Sequence, residues 1–466
     1  MLYESEAGEV RIAVAGDAMI SHRLSVFREE RYLRLVELFR GADAAFCNME
    51  MPIHDFDIAP GFAEGTYGTA EPNAALDLKW MGINMVSTAN NHSYDFGTEG
   101  LLSSQQKLDQ AGIIHAGTGR NLAEARDASY MDTPRGRVAL LATTSTFPEW
   151  GKAGEQRPDF RGRPGLSFLR FETIHTVDAQ AFQELQRLSV GLGLNRILDA
   201  QAAQAIGGQR GDSTQKEMYF QPAIKLVNGE EFPAVKFALG ERFSTRTIPH
   251  KPDMDDILRW VRDARRQADW VIFSLHSHEG PFPVPGDKRS VGPVGVREVP
   301  ADFIVDVARA CIDEGVDVFA VTGSHMMRGI EIYKGKPIFY SLAEFIFQNE
   351  TVRRLPTDSY SRYGLGPEAT PADFTDARTA GGTKGFPANP AYWKSVVPVC
   401  QFRARKLDSI ELYPIDLGFG KTRTQRGRPL LAARPLAEEI IENLRQLSQP
   451  YHTKIAADGE HWVIRP

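Results

Sequence analysis

The chain of 466 residues has little cysteine, no long apolar run and no basic excess, and each lack excludes something. Its three cysteines, Cys47, Cys311 and Cys400, stand far apart without a Cys-x-x-Cys pair, so no disulfide framework is written in the sequence. Cys47 and Cys311 lie in apolar runs and read as small buried hydrophobes. No stretch of about twenty apolar residues occurs, which excludes a membrane-spanning helix. The acidic start lacks the basic and apolar regions of a signal peptide, and the expected location is cytoplasmic. A net charge of −6 offers no electrostatic footing for nucleic acid. Neither a repeat nor a clean linker interrupts the chain. The remainder is ordinary for a globular protein, 42% hydrophobic and 24% charged, and long enough for one large domain or two.

What is present is a recurring unit: an apolar run of strand length that stops at polar, chemically capable residues. Residues 10–19 predict a strand carrying Gly16 and Asp17, 31–40 a helix, and 42–50 a strand ending at Asn48 and Glu50. A helix over 71–80 leads to a strand over 81–86, then a loop that gathers Asn90, Asn91, His92 and Asp95 ahead of a helix over 102–108. Further on, a helix over 253–268 feeds a strand over 269–275 that ends at His276 and His278. A helix over 300–314 feeds a strand over 316–321, followed by Thr322 and His325. A single carboxylate at a strand end is most simply the N-cap of the next helix. Acids, amides and imidazoles at five strand ends are instead the layout of parallel strands delivering ligands to one site. Mixed oxygen and imidazole donors suit Mn, Fe, Zn or Co better than Ca or Mg. A carboxylate such as Glu50, bridging two ions about 3.5–4 Å apart, would serve to activate water.

The ordered series Gly16-Asp17-Ala18-Met19, Asn48-Met49-Glu50, Ala89-Asn90-Asn91-His92 with Asp95 and Gly97, Ser274-Leu275-His276 with Glu279, and the hairpin over 329–342 resembles the CapA-type family. That family is named for poly-γ-glutamate capsule synthesis and sits within the calcineurin-like metallophosphoesterase superfamily. The resemblance covers most of the chain. It implies an α/β fold, the four-layer α/β/β/α sandwich of the metallo-dependent phosphatases, with the site at the carboxyl edges of the sheets. It further implies metal ligands at Asp17, Glu50, Asn91, His276 and His325, with Glu50 bridging. His92 would be the proton donor and Asp95 its orienting partner. Two positions depart from the family pattern: Thr322 stands where a second-metal histidine is usual, and Glu344 where asparagine is usual. Whether His278 or Glu344 replaces the missing ligand, and whether one ion or two bind, the sequence leaves open. Arg23 and Arg328 are read as holders of an anionic group, with His278 and Glu344 also on the substrate side.

The expected organisation is a core over 1–348 with an insertion at about 145–247, then an irregular segment and a C-terminal α+β appendage over 349–466 that packs on the core. The expected function is a metal-dependent hydrolase in which metal-activated water attacks a phosphoester or a γ-glutamyl-type amide. Its partner would be a small-molecule, γ-glutamyl or phosphorylated substrate. One alternative is an amide-forming or tailoring enzyme linked to poly-γ-glutamate or small-metabolite biosynthesis. Another is a non-catalytic binding subunit that keeps the fold. No signal for an oligomeric state is present.

Overall fold

The computed structural model describes residues 8–63, 66–194, 196, 209–210, 216–221, 224–225, 235–283, 291–459 and 461–466. It is a mixed α/β structure built on two sheets. In the first, β1 (Val10–Met19), β2 (Ala44–Met49), β3 (Met85–Ser87) and β4 (Ile114–Ala116) lie side by side and parallel. In the second, the strands Gly136–Thr144, Trp270–His276, Val318–Thr322 and Lys336–Phe339 are parallel neighbours. The antiparallel strands Ser129–Thr133 and Ile330–Tyr333 close its two edges.

Strand alternation distributes the apolar side chains to three cores. Ile12, Val14, Phe46 and Met85 of the first sheet share one cluster with Leu140, Ala142, Ile272 and Ala320 of the second. The intervening residues Ala13, Ala15, Ala45 and Cys47 pack instead with helical side chains such as Leu35, Phe39 and Leu78. In the second sheet Leu141, Val271, Phe273 and Val321 meet Ile257, Val261, Ile304 and Val307 from the helices Lys251–Gln267 and Asp302–Asp313. The helix α1 (Glu30–Arg40) shows why: Tyr32, Leu35, Val36 and Phe39 recur at helical spacing and are all buried, and Gly41 ends it. Each such side chain contributes up to about 1.5–3 kcal/mol when removed from water.

The segment expected as an appendage is placed differently. Its strand Lys394–Arg403 pairs antiparallel with β1, Val10 opposite Phe402, and the strands Lys406–Asp416, His461–Ile464 and Ala456–Asp458 extend the same sheet outward. The irregular stretch ahead of it contains two helices, Thr357–Ser361 and Pro371–Thr379, the second opened by a capping box from Thr370 and Asp373. Within the expected insertion, Phe171–Val177 pairs antiparallel with Ser244–Pro249 and parallel with Val235–Leu239. Much of 195–234 lies outside the described residues. Asp253, in the first turn of its helix, anchors this sheet by accepting the Arg170 amide and two guanidinium hydrogen bonds at 2.8–2.9 Å. Among the described residues no helix is long and apolar enough to cross a membrane.

Candidate metal centre

β1 changes partners along its length. Near its start it pairs with Lys394–Arg403; at its end it runs parallel to Glu344–Phe347, which sets Asp17 opposite Glu344. Gly16 makes this approach possible: a Cβ there would sit 1.8 Å from the Ala343 carbonyl oxygen. The Asp17 amide donates to that same carbonyl at 3.1 Å. Asp17 is fully buried; one carboxylate oxygen accepts the Asn48 amide group at 2.7 Å and the other the Gly323 backbone N–H at 2.8 Å. Burial pushes its pKa up, but His276, His325 and Asn48 outweigh that and hold it below the usual carboxylate value.

Glu50 follows β2 and is also fully buried, yet neither of its oxygens has a hydrogen-bond partner. His276 Nε2, at 4.0 Å from Oε1, is beyond hydrogen-bond reach. Burial, with Asp17, Glu344 and Asp95 close by, pushes the Glu50 pKa well above its ordinary value. Glu344 is raised in the same way by burial and Asp17. One of its oxygens meets His325 Nδ1 at 2.5 Å and the other is unpartnered.

The ligand atoms of Asp17, Glu50, His325 and Glu344 all lie within 4.8 Å of one another, and so do those of Glu50, His276 and His278. Glu50 belongs to both groups. The structure therefore brings His278 and Glu344 to the donors, where the sequence left open which would stand in. His278 Nε2 is buried without a partner, and its ring lies 5.1 Å from that of His276 and 5.2 Å from that of His325. Burial and the flanking imidazoles push its pKa well below the usual value, and burial brings His325 down to about 3. Both are thereby kept as neutral imidazole, the form that ligates metal. Thr322 lies opposite His276 in the sheet, its Oγ1 3.0 Å from His276 Nδ1, while Asn91 Oδ1 is 2.9 Å from Nε2.

These residues fit a divalent cation. Buried carboxylate oxygens without donors are costly unless a cation compensates them, and the oxygen-plus-imidazole set matches a transition ion.

His92 stands apart from both groups. Its Nδ1 is 2.7 Å from Asp95 Oδ2, which also accepts the Gly68 amide at 2.6 Å. A Cβ on Gly68 would lie 3.2 Å from the His92 ring, so that loop packs directly on the imidazole. Asn90 shapes the turn by donating to the Met49 carbonyl at 2.9 Å and accepting the His92 amide at 3.1 Å.

The two arginines expected to hold an anionic group are committed elsewhere. Arg23 pairs with Asp77 at 3.1 Å and lines a cleft with Glu71, Asn73 and Arg353 that includes none of the donors. Arg328 is fully buried, with Nε on the Arg297 carbonyl at 2.7 Å and Nη2 on those of His278 and Glu279 at 3.2 and 2.9 Å. It braces the loop behind His278. Sequence reasoning missed Gly323, which has a φ of 99° and donates its N–H to Asp17. It also missed Phe386, whose ring lies 5.2 Å from that of His325.

A family model described as bacterial capsule synthesis protein PGA_cap matches residues 11–349. The chain belongs to this family. It is 35% identical over 469 residues to the uncharacterized protein y4sH of Sinorhizobium fredii (strain NBRC 101917 / NGR234), covering 98% of this chain and 93% of that one. Over 159 residues it is 27% identical to the PGA biosynthesis protein CapA of Bacillus subtilis, 33% of this chain and 36% of the relative. Over 271 residues it is 22% identical to the probable polyglutamine synthesis accessory protein Rv0574c of Mycobacterium tuberculosis, 58% of this chain and 46% of the relative. A solved structure described as a hypothetical protein from Thermus thermophilus aligns with a TM-score of 0.34 and 11% identity, over 87% of this chain and 99% of that one. Every donor named above falls inside the PGA_cap match, whereas Phe386 lies beyond it.

Proposed function

We propose that this PGA_cap protein is a metal-dependent hydrolase holding one or two divalent transition ions, Mn, Fe, Zn or Co, where its two sheets end. The observation that carries the reading is Glu50: fully buried, without a hydrogen-bond partner on either oxygen, and shared by two groups of donors. Asp17, Glu50, His325 and Glu344 would hold one ion; Glu50, His276 and His278, with Asn91 beside them, would hold a second. Bound there, a cation supplies Lewis-acid polarisation and an acidified water. His92 donates a proton to the leaving group from Nε2, because Asp95 engages Nδ1 and so fixes tautomer and orientation. Two sheets sharing a core, with helices on both outer faces, support the four-layer α/β/β/α reading. The proposal includes a core over 1–348 with the insertion at about 145–247. A cytoplasmic location goes with it, supported by three cysteines that are free and buried.

The substrate class is a phosphoester or a γ-glutamyl-type amide. The names of the relatives from Bacillus subtilis and Mycobacterium tuberculosis favour the amide, and with it a second reading as an amide-forming or tailoring enzyme of poly-γ-glutamate synthesis. Elemental analysis of the purified protein should find a transition metal that Glu50→Ala and His276→Ala both lose. Phosphodiester, phosphomonoester and γ-glutamyl probes, with and without ATP and an amine acceptor, separate the hydrolytic from the synthetic reading. No bound transition metal, together with unchanged turnover in both variants, would end the hydrolase proposal.

A further inference from the structure

The arginine that faces the proposed centre is one the sequence did not mark. Arg297 follows a two-stranded turn, Val291–Gly292 paired with Gly295–Val296, which is pressed against the His278 loop. A Cβ on Gly280 would sit 1.8 Å from the Val296 carbonyl oxygen, so the two segments touch backbone to backbone. From there Arg297 sends Nη1 to the carbonyl of Ser324, the residue before His325, at 3.3 Å. Its guanidinium lies 5.7 Å from the Tyr392 ring centre, and a Cβ on Gly292 would stand 2.7 Å from its Nε. The guanidinium is thus held in a slot, with Tyr392 at one contact and the bare backbone of Gly292 at another. Among the described residues no carboxylate forms an ion pair with it, in contrast to Arg23, which is neutralised by Asp77. Its positive field reaches His278, His325 and Glu344.

We propose that Arg297 is the anion-holding residue of the centre and that the substrate presents a planar or tetrahedral oxyanion to it, either a carboxylate beside the reacting amide or the phosphate that itself reacts. This deepens the hydrolase reading and rests on it for the identity of the reacting group. A guanidinium held at one N–H and, among the described residues, without a hydrogen-bond partner at the others offers the fork that such oxyanions accept. Cation placement near a ring of Tyr392 adds to its fixation without discharging it. Both substrate classes under consideration contain such an anion, since a γ-glutamyl unit keeps its α-carboxylate and a phosphoester its phosphate. Arg297 therefore positions substrate under either chemistry, and the preferred anion tells them apart.

Calorimetric titration of the Mn-loaded protein with inorganic phosphate and, separately, with glutamate tests this, with metal content measured on the same samples. The wild type should bind at least one probe, and Arg297→Met should weaken that probe roughly 10- to 100-fold, the loss expected for a charged hydrogen bond, with metal content unchanged. Gly292→Val keeps the charge but pushes the guanidinium aside and should give a smaller loss in the same direction. The stronger probe assigns the anion as phosphate or carboxylate. The inference is overturned if the wild type binds neither probe, if Arg297→Met binds its probe like wild type, or if Arg297→Met loses metal and probe together, which would mark a purely structural role. A wild type that takes up no metal, with turnover unchanged in Glu50→Ala and His276→Ala, yet binds a probe through Arg297 would remove the hydrolase reading and leave the anion site standing.

Discussion

Replacing Glu50 with methionine should move stability in opposite directions with and without metal. In the stripped protein the carboxyl group is fully buried, lacks any donor, and is surrounded by Asp17, Glu344 and Asp95. An unsatisfied buried polar group costs about 1–3 kcal/mol, and a methionine of similar volume removes that cost without opening a cavity. A difference of 1 kcal/mol shifts Tm by about 2–4 °C in domains of 150–250 residues and by less in a longer chain. Stripped Glu50→Met should therefore melt about 1–5 °C above stripped wild type. Loading reverses the order. Wild type in metal at a hundred times Kd gains about 2.7 kcal/mol by mass action, whereas the variant lacks the one side chain common to both donor groups and gains little. Thermal unfolding in chelator and in Mn, followed by circular dichroism, reads both halves. If the stripped variant melts below stripped wild type, or if Mn raises the two proteins equally, the carboxylate is not held in the fold for a cation.

Three further outcomes follow. His92→Asn should lower turnover about 10²- to 10⁴-fold on whichever phosphoester or γ-glutamyl probe is active, with metal content by elemental analysis intact, since His92 belongs to neither donor group. Thr322→His should lower stability in urea by about 1–3 kcal/mol through overpacking a fully buried site, and should not raise the metal bound per chain; an increase would mean that His278 does not serve as the second imidazole. Asp253 gives the acid limb of stability. Burial pushes its pKa up, but Arg170 and His250 outweigh that and hold it well below the carboxylate range. Its folded pKa is thus the depressed one, so its contribution is complete above the unfolded value of about 3.9 and is lost as pH falls through the folded value. Asp253→Asn should cost about 3 kcal/mol at neutral pH, as breaking a buried pair does, and urea melts should show that gap closing toward about pH 2.

The candidate donors Asp17, Glu50 and His276 could be picked out by position, because each stands where an apolar run of strand length stops. Partners across the sheet could not be. Residues 395–418 read as strands, but nothing in them says that Val10 will lie opposite Phe402, and so the sequence suggests an appendage where the first sheet in fact continues. Arg297 sits in a glycine-rich turn with no periodicity to mark it, and only the packing of Gly280 on Val296 brings it to Ser324. Thr322 is the sharpest case. Read along the chain it is a lost ligand. In three dimensions, Thr322 and Gly323 together form the wall that His276 and His278 lean on, and a Cβ on Gly323 would meet the His278 ring at 2.9 Å and the His276 ring at 3.0 Å. An imidazole at 322 would need part of the space beside His276, where Thr322 now makes its contact and His278 stands one ring away. On the proposed reading, the small Thr322-Gly323 pair leaves the room beside His276 in which the His278 ring stands.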